Sequence, residues 1–175
     1  MSTRFVMISR WRLPTTRERL WSLLTEPTEW PGWWPQLRGV NRLEDGDPDG
    51  VGASHAFVWH SGLGYRLRTV MTTTRASRMR ELEAAASGDL RGIGLWLIED
   101  DLPPGVLRLT YRWDVELSKP WMRLLAPLLQ DVFTRRHFAV MASGADGMAR
   151  QLGCRRSAIE EWSTITRLAQ DREAA

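Results

Sequence analysis

Hydrophobic and polar residues alternate over long stretches of the chain, and this alternation predicts β-strands. The clearest stretch is VLRLTYRWDVEL, residues 106–117, where every second residue from Leu107 is apolar and most of the others are polar or charged. An antiparallel sheet with one buried and one solvated face produces this pattern. The same alternation over residues 4–13 predicts a first strand, and turn-forming sequences between residues 45 and 105 separate about six further strands.

Two short helical elements are predicted directly after the first strand. Thr15 precedes Glu18 by three residues, which is the capping-box pattern at the start of a helix. The segment EPTEWPGWWP, residues 26–35, follows and places three tryptophans among three prolines. Because an indole ring is costly to leave in water, we expect this segment to close one end of the core.

The spacing of apolar residues changes to that of a helix after Lys119. This spacing predicts one long helix that ends near Leu152. Beyond it, a tail of residues 154–175 carries Ile159, Trp162 and Ile165 at three-residue spacing, which predicts a second, shorter helix.

This order of elements predicts an α+β fold. A curved antiparallel sheet of about seven strands is expected to wrap around the long C-terminal helix, and residues 1–153 form one domain with residues 154–175 as a helical tail. A sheet that curves around a helix without filling the space between them leaves an elongated internal cavity.

Six segments carry a resemblance to a known family. They are Trp21 and Trp30 with WWP (33–35), GVGASHAFVW (50–59), GYRL (64–67), SGDLRGIGLW (87–96), YRW (111–113) and RRHFAVMASGADGMARQL (135–152). Together they resemble the SRPBCC superfamily of START/Bet v 1-like helix-grip proteins, and within it the polyketide cyclase/dehydrase-like group, over about residues 4–153. The resemblance implies a helix-grip fold with a cavity for apolar molecules, which members of the family either bind or transform.

Composition and charge narrow the function classes. The 175 residues are 43% hydrophobic and 26% charged, which is typical of a globular domain. The formal net charge is only +3 and the arginines are interleaved with acidic residues, so no nucleic-acid partner is expected. Arginines interrupt the first apolar stretch and the chain has a single cysteine, which together favour a cytoplasmic protein without stable membrane insertion.

Aromatic residues on the apolar strand faces are the candidate ligand contacts, because flat rings pack well against an apolar or aromatic molecule. The resemblance adds the long helix, whose equivalent segment faces the cavity in the family. Arg136 falls within the apolar stripe of that helix, so either the helix changes phase or the guanidinium enters the cavity. The predicted ligand-binding residues are Trp59, Tyr65, Trp96, Tyr111, Trp113, Arg136 and His137.

His137 and Glu83 are the candidate catalytic residues. A histidine facing the cavity can move a proton or orient a polar group. Glu83 shares one strand face with Glu81 in RMRELEAAA. If that face points inward, Glu83 is a buried carboxyl with a raised pKa; if it points outward, it pairs with arginines. The sequence leaves both orientations open.

No metal or other cofactor is expected. The DGDPDG turn (45–50) imitates the start of a calcium loop, but Ala56 stands where that loop requires glutamate. His55 and His60 are five residues apart on one predicted strand, so they point to opposite faces. The chain also lacks a G-x-S-x-G motif, and Leu97 replaces the third glycine of a dinucleotide fingerprint.

One strand is apolar on both faces. Ile93, Leu95 and Leu97 lie opposite the face that carries Trp96, and both faces are therefore expected to be covered. Either the tail with Trp162 covers the outer one, or a second subunit does so in a homodimer.

These features predict a protein that binds a small hydrophobic or aromatic molecule, lipid-like or polyketide-like, in an internal cavity. An alternative is a polyketide aromatase/cyclase or dehydratase that works without a metal or nucleotide cofactor. A further alternative is an adaptor that binds a protein partner through the apolar outer strand.

Overall fold

A computed structural model describes residues 2–60 and 64–168, without the side chains of residues 2, 123, 126–129, 158, 159, 167 and 168. The elements follow the predicted order of a strand, two short helices, six strands and a long helix, with one more strand at the end. They are β1 (Ser2–Pro14), α1 (Arg17–Leu24), a 3-10 helix (Pro27–Gly32), β2 (Leu37–Glu44), β3 (Ser54–His60), β4 (Arg66–Ser77), β5 (Glu81–Gly88), β6 (Leu90–Asp101), β7 (Val106–Leu117), α2 (Pro120–Leu152) and β8 (Ser157–Leu168).

All described strands belong to one antiparallel sheet in the order β2-β3-β4-β5-β6-β7-β1-β8. Consecutive hairpins build the run from β2 to β7, and β1 joins the sheet beside β7 with Tyr111 opposite Ser9. The sheet and α2 form the α+β helix-grip fold that the alternation of residues predicts. Seven strands lie within residues 1–153, and β8 is an addition beyond them.

The tail is a strand where the sequence predicted a helix. β8 pairs antiparallel with β1, with Ile165 opposite Phe5 and Trp162 opposite Ile8. The segment is rich in isoleucine, threonine and tryptophan, which favour strands, and the outer edge of β1 offers unpaired backbone groups. The three-residue spacing was therefore a weaker signal than the residue types. The part of the predicted tail at residues 169–175 lies outside the described residues.

Helix α1 begins one residue later than the capping-box pattern indicated. The hydroxyl of Thr16, not of Thr15, accepts a hydrogen bond from the backbone N–H of Arg19 at 3.4 Å. The helix buries Leu20 and Leu24, and its last turn leads directly into the tryptophan segment.

The tryptophan segment packs against the C-terminal half of α2. Trp30, Trp33 and Trp34 are all buried. The indole N–H of Trp34 donates to the carbonyl of Val140 at 2.9 Å, and that of Trp30 donates to the carbonyl of Leu23 at the same distance. This confirms that the segment closes one end of the core.

Two glycines in α2 allow this contact. A Cβ atom at Gly144 would lie 2.2 Å from the Trp34 ring, and one at Gly147 would lie 1.9 Å from the carbonyl oxygen of Trp33. Both distances are far below normal contact, so any larger residue would push the segment away from the helix. The backbone of α2 and the tryptophan segment are therefore in direct contact.

The outer face of β6 is only partly covered. Ile93 is 46% exposed, and the neighbouring strands place Ala85 and Asp114 beside it. The expectation that the tail covers this face is wrong for the described part of β8, since β7 and β1 lie between β8 and β6. Trp162 lies instead beside the guanidinium of Arg10, 5.0 Å from the ring centroid. A homodimer through Ile93, Leu95 and Leu97 stays a prediction.

Candidate ligand-binding cavity

A cavity of about 290 Å³ lies between the inner face of the sheet and α2. Its size is close to the lower end of cavities that accept drug-sized ligands. Aromatic rings dominate its walls, together with Met7, Leu67, Met71 and Val115. The tryptophans and phenylalanines that line it include Trp30, Trp34, Phe57, Trp59, Trp96 and Trp113.

One wall is a row of rings on β6 and β7. Trp96 and Tyr111 are opposite each other in the register, and their ring centroids are 4.2 Å apart. Tyr111 stacks in turn on Trp113, with centroids 6.0 Å apart and an interplanar angle of 21°. A Cβ atom at Gly94 would lie 2.9 Å from the Trp113 ring and 2.8 Å from the Tyr111 hydroxyl. The absence of a side chain at Gly94 therefore allows these rings to lie along the sheet.

A second part of the wall comes from β3 and the tryptophan segment. Phe57 and Trp59 stack with an interplanar angle of 9°, and Trp34 meets Trp59 edge to face with centroids 5.1 Å apart. Alternation along β3 turns His55, Phe57 and Trp59 to the same side, and all three line the cavity. The cavity thus has flat aromatic surfaces on two sides.

Two neutral histidines face the cavity from different elements. His137 projects from α2, and burial lowers its pKa to about 3. His55 is buried in β3; burial also lowers its pKa, and the positive charge of Arg42 contributes to the shift. The Nε2 atom of each ring is buried and has no hydrogen-bond partner among the described residues. At neutral pH both rings at the cavity wall are therefore uncharged.

These shifts predict that the protein loses stability as the pH falls. The folded-state pKa of His137 lies below the unfolded value of about 6.5, so the unfolded chain takes up the proton first. The stability that depends on the neutral ring is complete above that value and declines as the pH falls towards 3. Between pH 6.5 and 5 we expect His137→Phe to reduce the slope of unfolding free energy by up to about 1.4 kcal/mol per pH unit, measured by urea denaturation. Parallel slopes for the two proteins would contradict the neutral assignment.

The two tyrosines of the predicted site also line the cavity. Burial raises the pKa of Tyr111 and of Tyr65, so both phenols stay protonated at neutral pH. The Tyr65 ring meets Trp121 of α2 edge to face, with centroids 5.2 Å apart. Tyr65 therefore lies where β4 and the start of α2 meet.

Three exposed residues stand at the border of the cavity. Arg136, Asp49 and His60 border the cavity, and all three are exposed. The sequence left two readings of Arg136 open, and the structure places its residue at the cavity border in contact with solvent. His60 also reaches this border, at the end of β3, and the uninterrupted register with β4 keeps residues 55 and 60 on opposite faces, as expected.

Glu83 does not belong to the cavity. Its carboxylate accepts a hydrogen bond from the hydroxyl of Thr74 at 2.9 Å and pairs with Arg75 at 3.0 Å. The cavity side of β5 carries the neighbouring residues Leu82 and Ala84. The outward orientation is therefore the correct one, and the hypothesis of Glu83 as an acid or base acting in the cavity is wrong.

The structure brings together the other predicted ligand contacts. Trp59, Tyr65, Trp96, Tyr111, Trp113, Arg136 and His137 all line the same cavity. Among residues 2–60 and 64–168, no three histidine, cysteine or acidic residues are grouped as a metal site would require. Within the same residues, no helix has the length and apolarity needed to cross a bilayer.

Sequence reasoning missed His55 as a cavity residue. The signal was available, because His55 shares its strand parity with Phe57 and Trp59 in SHAFVWH. The metal-pair hypothesis tests His55 only against His60 and makes no use of its place on the same face as Phe57 and Trp59.

No protein-family model matches this sequence, and no curated protein matches it either. Several solved structures have a similar backbone fold. A protein from Thermus thermophilus superposes with a TM-score of 0.71 at 14% identity, over 84% of this chain and 96% of that one. A START superfamily protein from Mycobacterium smegmatis gives a TM-score of 0.67 at 14% identity, over 85% and 97% of the two chains.

An enzyme also appears among these structures. The Zhui aromatase/cyclase from Streptomyces matches with a TM-score of 0.61 at 14% identity, over 86% of this chain and 91% of that one. At such identities the likeness concerns the fold. The chain has a helix-grip fold like that of the START superfamily protein, and the fold that the family resemblance implied is confirmed.

Proposed function

We propose that the protein binds a small apolar, largely aromatic molecule in the cavity between the sheet and α2. The observation that carries the proposal is the cavity of about 290 Å³ with flat aromatic walls inside a single folded unit. Apolar surface removed from water stabilises a complex by roughly 25 cal/mol per Å². A flat ligand that packs on the Trp96–Trp113 row or on the rings of β3 would remove apolar surface from water.

The residues have distinct roles in this proposal. Trp59, Trp96 and Trp113 pack on the ligand, and Tyr111 and His137 orient its polar groups. Tyr65 contacts the part of the ligand nearest the start of α2. Arg136 contributes least, because it is exposed and water screens its charge.

A second candidate is an aromatase/cyclase or dehydratase that acts on a polyketide-like substrate. The observation that favours it is the position of His137 at the cavity wall, the residue type most often used to transfer protons. Against it, a group with a pKa of about 3 is a weak base at neutral pH, and Glu83 points away from the cavity. Binding is therefore the function that the geometry supports better. The cytoplasmic location expected from the single cysteine, Cys154, stays a prediction.

Titration with naphthalene, followed by tryptophan fluorescence and calorimetry, tests the proposal. We expect saturable one-to-one binding and a negative heat-capacity change, because apolar surface is buried. Native mass spectrometry of the purified protein, with organic extraction, would identify any molecule it already holds. A protein that binds neither naphthalene nor any extracted apolar compound would contradict the proposal.

A further inference from the structure

We propose that the outer edge of β8 pairs antiparallel with the β8 strand of a second copy of this chain, with Trp162 on the twofold axis, so that the two sheets join into one. This surface lies outside the cavity, and the pairing is independent of ligand binding. The interface also differs from the predicted dimer through Ile93, Leu95 and Leu97, because it uses the edge of the sheet instead of the outer face of β6.

The first argument is that β8 presents a long and regular strand edge. β8 has 12 residues and stands at the end of the sheet, and within the described residues no strand lies beyond it. It contains no proline, glycine or lysine, and its register with β1 is unbroken from Ile159 to Leu168. Folded proteins usually cover or interrupt such an edge, because its outward N–H and C=O groups are ready to pair with another strand.

The second argument is the contrast with the other edge of the same sheet. β2 has only eight residues, its pairing with β3 is interrupted twice, and the 3-10 helix packs beside it. Interruptions and covering elements are devices that prevent edges from pairing. The described sheet therefore has one open edge and one blocked edge. Two copies joined by their open edges form a closed dimer that offers no edge to a third copy.

The third argument is that β8 fits its own sequence. A twofold axis perpendicular to the sheet relates two antiparallel copies, so one residue of β8 stands opposite itself. With Trp162 on that axis, two indole rings that are each 39% exposed meet on the face opposite the cavity. The same register puts Glu160 opposite Thr164 of the second copy and leaves no two like charges opposite each other. Cross-strand aromatic pairs stabilise a sheet, and opposed like charges destabilise it.

The neighbouring registers are less favourable. Glu161 on the axis would stand opposite its own copy and bring two carboxylates together. Ser163 on the axis would put Glu161 opposite the half-buried Ile165, an acidic residue against an apolar one. The sequence of β8 therefore favours the register centred on Trp162.

Sedimentation equilibrium of the purified full chain measures the association. We expect a reversible dimer of twice the 20.1 kDa chain mass. Its dissociation constant should be on the order of 10 µM, because one strand pair is smaller than a standard stable interface. A chain that stays monomeric at about 50 times that concentration would overturn the inference. This result is also the one expected if β8 receives a strand of a different protein.

Two substitutions of the exposed Thr164 test the register. Thr164→Lys puts a positive charge opposite Glu160 of the second copy, and Thr164→Glu puts a negative charge there. We expect the dimer to tighten by about fivefold in the first variant and to weaken by about fivefold in the second, since each dimer contains the pair twice. Weakening by both variants would place Thr164 opposite itself and contradict the proposed axis.

Ile93→Lys is the control for the competing interface on the outer face of β6. Ile93 is exposed, and β7 and β1 separate its strand from β8, so we expect the dissociation constant to be that of the wild type. A dimer that dissociates in Ile93→Lys and does not respond to the Thr164 substitutions would assign the interface to β6, and the inference would be wrong.

Discussion

Gly147→Ala is expected to destabilise the protein by roughly 3 kcal/mol, the upper end of the usual cost of overpacking. The new Cβ atom would lie 1.9 Å from the carbonyl oxygen of Trp33, which is backbone and cannot rotate away. The tryptophan segment would have to move off α2 and strain the hydrogen bond from Trp34 to Val140. Urea denaturation measures the change in the free energy of unfolding.

The expected loss of stability is opposite in sign to the usual effect of this substitution in a helix. Gly→Ala inside a helix ordinarily stabilises it by about 0.5–1 kcal/mol, because alanine is the better helix former. Ala139→Gly, at an exposed position of the same helix, should show that propensity effect alone as a loss of about 1 kcal/mol. A Gly147→Ala protein more stable than the wild type would mean that α2 and the tryptophan segment are not in contact.

Ala84→Trp is expected to weaken ligand binding strongly while the protein stays folded. Ala84 lines the cavity from β5, opposite Gly94 of β6, so an indole there would occupy much of the 290 Å³. We expect naphthalene to bind on the order of 100-fold more weakly, since the apolar surface it would bury is already covered. Calorimetry measures the affinity, and circular dichroism checks the fold.

The neighbouring alanine gives a matched control. Ala85 lies on the same strand with the opposite parity, so its side chain points to the outer face beside Ile93. Ala85→Trp adds the same indole outside the cavity and should bind naphthalene as the wild type does. Equal binding by both variants would show that the ligand site lies elsewhere.

The strands could be predicted because the alternation of apolar and polar residues that identifies a strand lies within the strand itself. In β7 the alternation of apolar and charged residues alone places Tyr111 and Trp113 on the inner face, and the structure agrees. The tail shows the limit of such patterns. Ile159, Trp162 and Ile165 fit a helix by spacing, but the free edge of β1 made a strand the better-paired conformation. That edge is a property of the assembled sheet, which no local pattern contains.

The site was predictable in part for the same reason. In β3, the alternation of side chains between the two faces of the strand puts His55 on the same face as Phe57 and Trp59. In β5 the same alternation does not show which face is buried, because alanines and a leucine alternate there with the glutamates. The sequence therefore could not orient Glu83. Only the neighbours Thr74 and Arg75 fix the outward direction. The roles of Gly144 and Gly147 were likewise hidden, since a glycine in a helix does not reveal which segment approaches it.

The most direct test of the cavity as a binding site is a crystal structure of the protein saturated with naphthol. The proposal predicts electron density for a flat ring between the sheet and α2, in contact with Trp96 or Trp113. Density for naphthol only on the outer surface, with the cavity filled by rearranged side chains, would contradict it.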